Sequence, residues 1–252
     1  MIESLILILA AFLTSMLSAI IGMGGGITLL GIMAIIIPEG YMVVALHGII
    51  QLVSNVTRTV VYRTHLHRPI FKQFTVGAIP GLFFAVVIIL GLMKWMGVSL
   101  ASEIKIDFLK PLIGVYILWF LFLRKKGKPI PEKAFLWMGG LSGLVTVFIG
   151  AAGPLIAPFF LNKELTKENV IATKAACQSV GHLGKMPIFI FLFGVNYMAE
   201  WTVLLPLVLA VYFGTNLGKR MLGLLPEATF KLLFKIVLTF ISVRLILFGI
   251  IQ

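Results

Sequence analysis

A single cysteine, Cys177, among 252 residues excludes a disulfide framework and any multi-cysteine metal centre. Inside its apolar segment Cys177 reads as a small packing residue with no redox role. Acidic residues are nearly as scarce. The nine (Glu3, Glu39, Glu103, Asp107, Glu132, Glu164, Glu168, Glu200 and Glu227) all fall at the terminus or between apolar runs, so no carboxylate lies deep in a segment. That argues against a carboxylate proton relay and against an integral membrane enzyme, which would need a base beside a nucleophile at depth. No nucleophile elbow, phosphate loop or metal cluster is present. The stretch Gly22-Met23-Gly24-Gly25-Gly26 lacks the Lys-Ser/Thr that follows in a P-loop, and His65-x-His67 in a basic loop reads as a solvated turn. Neither a metal nor a cofactor is expected.

What the chain has in abundance is apolar surface: 60% hydrophobic residues, 12% charged residues and a mean hydropathy of +1.10, far from a soluble domain. It reads as an all-α polytopic membrane protein. The formal charge of +12 is accounted for by basic cytoplasmic loops, so nucleic acid is not an expected partner. The lipid bilayer is. Glu3 stands where a signal peptide would carry a basic region, and the apolar run continues past any cleavage point, so no cleaved leader is expected.

Eight apolar segments are long enough to consider as crossings: 2–37, 42–62, 73–93, 108–123, 134–161, 169–193, 201–218 and 229–251. Residues 124–133 form a basic linker and divide the chain into a first membrane repeat, 1–123, and a second, 134–252. Four glycines in five residues break the first segment, because a glycine costs about 1 kcal/mol relative to alanine in a helix and bares its backbone. Such a break must face protein or a water-filled cavity. At an offset of 128, Gly22 to Ile27 align with Gly150-Ala-Ala-Gly-Pro-Leu155, a second and stiffer break. At an offset of 127, Val44 to Gln51 align with Ile171 to Gln178, Asn55 with His182 and Arg58 with Lys185. At an offset of 133, Gly77-xxx-Gly81-xxx-Ala85 falls on Ala210-xxx-Gly214-xxx-Gly218, the small-residue spacing that lets membrane helices approach closely.

Loops 62–73, 124–133 and 219–235 are basic, whereas 194–200 carries only Glu200. Placing all three basic loops inside requires segment 134–161 to enter and return as a re-entrant hairpin. Treating 2–37 likewise leaves three full crossings per half, hence two inverted repeats with both termini outside. A single broken crossing in each half is the alternative.

His47, Gln51, Asn55 and Arg58 fall at relative positions 0, 4, 8 and 11, within an arc of about 80° on one helix face. Lys174, Gln178, His182 and Lys185 repeat that spacing. Facing one another, these stripes would offer cationic and amide donors to an anion, with Gly24, Gly25, Gly26 and Gly153 adding backbone amides and positive helix ends. Two plainer roles compete. Arg58 and Lys174 could snorkel to the interface, and the glutamines could bridge helices.

With its G-x-G-G-G turn at Gly22 to Gly26, the Ala45-to-Arg58 segment, the Gly77/Gly81 helix and a weaker second copy at Gly150 to Pro158, the chain resembles the TauE/SafE family of membrane transporters. The family is also called the sulfite exporter or anion permease family. The resemblance covers essentially the whole chain and implies a permease or exporter for small sulfur-containing anions such as sulfite, thiosulfate or organosulfonates, in a bacterial-type inner membrane. Ala152 and Pro154 depart from the family's glycines. A membrane scaffold or assembly protein is the alternative, and the sequence leaves a homo-oligomer open.

Overall fold

The computed structural model describes residues 2–104, 109–123, 130–161 and 165–250, and every regular element among them is helical. The first apolar run splits where its glycines lie. Helices α1 (Ile2–Ile21) and α2 (Gly25–Ile36) are separated by Gly22 and Gly24, whose φ angles of 81° and 93° belong to the left-handed region that a residue with a Cβ rarely enters. Then come α3 (Gly40–Val61), α4 (Arg68–Met96) and α5 (Leu109–Leu118), which runs into a π-helical turn over Trp119–Leu123. After the linker come α6 (Ala134–Ile149), a break at Gly150 (φ 81°), α7 (Gly153–Leu161), α8 (Lys167–Phe193), α9 (Trp201–Leu222) and α10 (Glu227–Ile250).

Eight apolar runs thus become ten helices, because two of the runs are broken. α4 starts at Arg68, ahead of its apolar run at 73. The reason is local: His67 Nδ1 accepts from the Ile70 amide, and Pro69 sits in the first turn, where its missing N–H costs nothing. The expected start at residue 108, linker residues 124–129 and residue 251 lie outside the described residues. α1, α3, α4, α8 and α9, of 20 to 29 residues, are long and apolar enough to cross a bilayer.

Small residues bring two helix pairs to backbone contact. A Cβ on Gly77 would stand 1.8 Å from the Leu136 carbonyl oxygen and one on Gly81 2.0 Å from that of Gly140, so α4 crosses α6 with no side chain between them. α9 crosses α1 in the same way. A Cβ on Gly214 would meet the Phe12 oxygen at 2.3 Å, and one on Gly218 the Met16 oxygen at 2.4 Å. The neighbours Gly139 and Gly140 supply a test of this crossing. A Cβ at Gly139 would lie 2.1 Å from the Phe74 oxygen, whereas one at Gly140 would find its nearest neighbour at an ordinary 3.5 Å. Gly140→Ala is therefore expected to shift stability by less than about 0.5 kcal/mol, and Gly139→Ala to cost about 1–3 kcal/mol, read from thermal unfolding in detergent.

The two ends of the bundle differ in charge. At one end the α3–α4 corner meets the start of α8, where Asn169 Nδ2 donates to the His65 oxygen (2.7 Å) and the His67 amide donates to Thr173 Oγ1 (2.9 Å). His67 Nε2 lies 3.7 Å from Glu132, just before α6, and Lys167 Nζ donates to the Leu222 oxygen (3.2 Å) at the end of α9. All three basic loops therefore contribute to this end. At the opposite end Glu3, Glu39 and Glu200 line one cavity of about 690 Å³, together with Ile36, Ile37 and Pro38 from the end of α2.

Candidate functional site

The two helix breaks and the two polar stripes meet at one small cavity. Its walls include Gly24 and Gly26 from the first break, Gly153 and Pro154 from the second, His47, Gln51 and Arg58 from α3, and Lys174, Gln178 and His182 from α8. Nine of the residues named from sequence therefore line one space. Gly25, Asn55 and Lys185 stand just behind it. The cavity measures about 20 Å³, room for a water and little more, so an oxyanion enters only if the walls part.

Arg58 and Lys174 are 2% exposed and Lys185 is 0% exposed, so none of the three snorkels to an interface. Their hydrogen bonds go to uncharged oxygens. Lys174 Nζ donates to the Gly22 carbonyl at 2.9 Å and to Gln178 Oε1 at 3.2 Å. Lys185 Nζ donates to the Gly150 carbonyl at 3.0 Å, with its stem laid over Gly48, where a Cβ would come within 2.6 Å. Arg58 reaches the Ser18 carbonyl (3.3 Å), the Ser54 carbonyl (3.4 Å) and Asn55 Oδ1. Among the described residues no carboxylate contacts any of these cations. Burying a charge costs several kcal/mol per ion unless a counter-charge offsets it, and among the described residues these three cations have none.

The remaining polar atoms include both donors and acceptors. His47 Nε2 lies 2.7 Å from the Gly26 carbonyl, a contact that requires a proton on Nε2. Its Nδ1 is then the open position, and it is buried without a partner, as are His182 Nδ1 and Asn55 Nδ2. The two imidazole rings lie edge to face with centroids 6.0 Å apart. The glutamines lie over bare backbone. A Cβ on Gly26 would stand 3.0 Å from Gln51 Oε1, and one on Gly153 2.4 Å from Gln178 Nε2, so each glycine makes room for the amide above it.

The turn amides are only partly free. The Gly25 amide donates to Ser18 Oγ at 3.1 Å, and a Cβ on Gly25 would fall 1.8 Å from the Thr14 oxygen, which packs this residue on α1 rather than toward the cavity. Ser18, Met23, Ile27, Ala151 and Pro154 line the cavity without having been singled out as ligands from sequence. A signal for Ser18 was present: Thr14, Ser15 and Ser18 are the hydroxyls of α1 beyond its first turn, and all three are buried.

Fold and cavity together define a polytopic α-helical membrane protein with an enclosed centre lined by buried cations and amides. Residues 7–245, nearly the whole chain, match the family model described as Sulfite exporter TauE/SafE. The chain belongs to that family and is a membrane transporter of the sulfite-exporter type. No curated protein and no solved structure matches it.

Proposed function

We propose that the protein moves a small sulfur oxyanion such as sulfite or thiosulfate, or a short organosulfonate, through the cavity between the two glycine breaks. The observation that carries this reading is the set of three buried cations whose partners among the described residues are carbonyl and amide oxygens. The anion supplies the missing counter-charge. Lys174, Arg58, Gln51, Gln178 and His182 stand where they can bind it directly, and Lys185 adds positive potential from behind. Access alternates between the two faces of a bacterial-type inner membrane. An inside-negative potential favours export by about 2.3 kcal/mol per charge for each 100 mV.

The matched contacts support two repeats around this site. Gly22 packs against Ile171 of α8 and Gly150 against Val44 of α3, residues 127 apart like the pair Gln51 and Gln178. Gly81 meets Gly140 and Gly214 meets Phe12, and 140 − 12 = 128, the same separation as Gly22 and Gly150. An inverted arrangement fits the ends. α1 starts and α2 finishes beside the acidic cavity, whereas Glu132 before α6 and Lys167 after α7 both stand at the basic end. In this reading each broken pair is a re-entrant hairpin. Cysteines introduced singly at Glu3 and Glu39 are expected to label from the periplasmic side, and at Arg63 and Lys133 only after permeabilisation. Labelling of Glu3 and Arg63 positions from one side would remove the inverted topology.

The function is tested by loading proteoliposomes with radiolabelled sulfite, thiosulfate or methanesulfonate and following efflux. At least one of these anions is expected to leave several-fold faster than from protein-free vesicles, and leakage equal to the blank for all three would favour a scaffold.

A further inference from the structure

The two breaks are built alike but are held differently. Each break begins with a positive-φ glycine whose carbonyl accepts from a lysine of α8: Gly22 from Lys174 and Gly150 from Lys185. Lys174 lines the cavity and Lys185 does not. Lys174 can therefore exchange the Gly22 carbonyl for an anion arriving beside it, whereas Lys185, fully enclosed, keeps its carbonyl whatever the cavity holds. The short helices differ in the same sense. α7 is buried along residues 153–158 and carries Pro154 and Pro158, while α2 is buried only at Gly25, Ile27, Leu29 and Met33 and exposes Ala34 and Ile35. The far end of α2 borders the 690 Å³ cavity, so it has open space to move into, and Gly22 and Gly24, on either side of Met23, provide two positive-φ positions to turn about.

We infer that Lys174 is a latch on the first break, that the transported anion releases it by taking its ammonium from the Gly22 carbonyl, and that Lys185 fixes the second break. α2 is then the moving wall and α7 the static one. Release opens the central cavity toward the acidic end, past Leu46 and Leu7, which floor the large cavity. Glu3, Glu39 and Glu200 around that mouth repel an anion that has left, so the same passage disfavours its return. Lys174 and Lys185 act here as positioning residues for the breaks. This inference rests on the anion reading above, because only a bound anion can compete for Lys174.

Hydrogen–deuterium exchange on the intact protein in lipid nanodiscs tests it, with sulfite against chloride at equal ionic strength and sulfite binding measured on the same sample. Sulfite is expected to raise the exchange rate in peptides covering residues 18–31 at least twofold and to leave 146–158 unchanged. Without sulfite, Lys174→Gln should already exchange fast at 18–31 and respond no further, Lys174→Arg should restore the response, and Lys185→Gln should loosen 146–158. If sulfite binds and 18–31 stays unchanged or slows, or both breaks respond alike, the latch is overturned. If wild-type protein binds no sulfite, thiosulfate or methanesulfonate, the anion reading fails instead. The anion-free comparison of the two lysine variants still decides which lysine holds which break.

Discussion

Replacing Lys174 with methionine is expected to cut sulfite flux through the reconstituted protein by at least about a hundredfold. The side chain lines the cavity, is 2% exposed and has no carboxylate partner, so its charge is available to the substrate. Truncating one partner of a buried hydrogen-bonded charge pair costs about 2–5 kcal/mol, and each 1.4 kcal/mol is a factor of ten. Methionine keeps the length and the apolar stem, so the fold is not asked to absorb a void. Removal of an uncompensated buried charge offsets the hydrogen bonds lost at Gly22 and Gln178, so the variant is expected to unfold close to the wild-type temperature even with a looser first break. Lost flux with retained stability is the signature of a binding cation. Arg63→Ala, at an exposed position in a basic loop, is expected to change flux less than twofold. A Lys174→Met protein that transports at the wild-type rate would take this residue out of the site.

Gly81→Leu is expected to abolish the folded protein rather than slow it. The new Cβ would stand 2.0 Å from the Gly140 carbonyl oxygen, and the obstacle is backbone on both sides, with no flexible side chain to swing away. Overpacking ordinarily costs about 1–3 kcal/mol, and a whole leucine between two touching helices lies above that range. The helices must separate, and α6 carries the second break into the cavity. Gly214→Leu should fail the same way, since its Cβ would meet the Phe12 oxygen of α1 at 2.3 Å. The measurement is monodisperse protein recovered after detergent extraction. A Gly81→Leu protein that elutes and unfolds like wild type would show that the crossing is not as tight as 2.0 Å implies.

Much of this arrangement was legible in the chain because the bilayer leaves few choices. Apolar length and the two glycine breaks located most of the described helix starts to within a few residues, and α4 needed its cap at His67 and its Pro69 to explain an earlier start. The polar stripes were legible for a similar reason: a histidine, an arginine or a lysine inside an apolar helix is costly, so its spacing carries information. Periodicity gave a common face for His47, Gln51, Asn55 and Arg58, but it cannot say which member touches the cavity. Asn55 and Lys185 share their neighbours' face, yet one is engaged by Arg58 and the other by the Gly150 carbonyl. Which carbonyl each cation chose was hidden as well, because a hydrogen bond across 152 residues, from Lys174 to Gly22, depends on how α8 packs on the first break. The role of Ser18 was masked by its apolar surroundings, since one hydroxyl in a lipid-facing run is ordinary until the helix next to it breaks.

The central claim is that the transported anion sits between the two breaks, and locating the anion tests it most directly. In a crystal of the protein saturated with sulfite, long-wavelength data should show an anomalous sulfur peak, distinct from Met23 and Cys177, within hydrogen-bond reach of Lys174 Nζ and the amides of Gln51 and Gln178. The cavity around it should be larger than about 20 Å³. A peak found only elsewhere, with Lys174 still on the Gly22 carbonyl and the cavity still closed, would contradict the account.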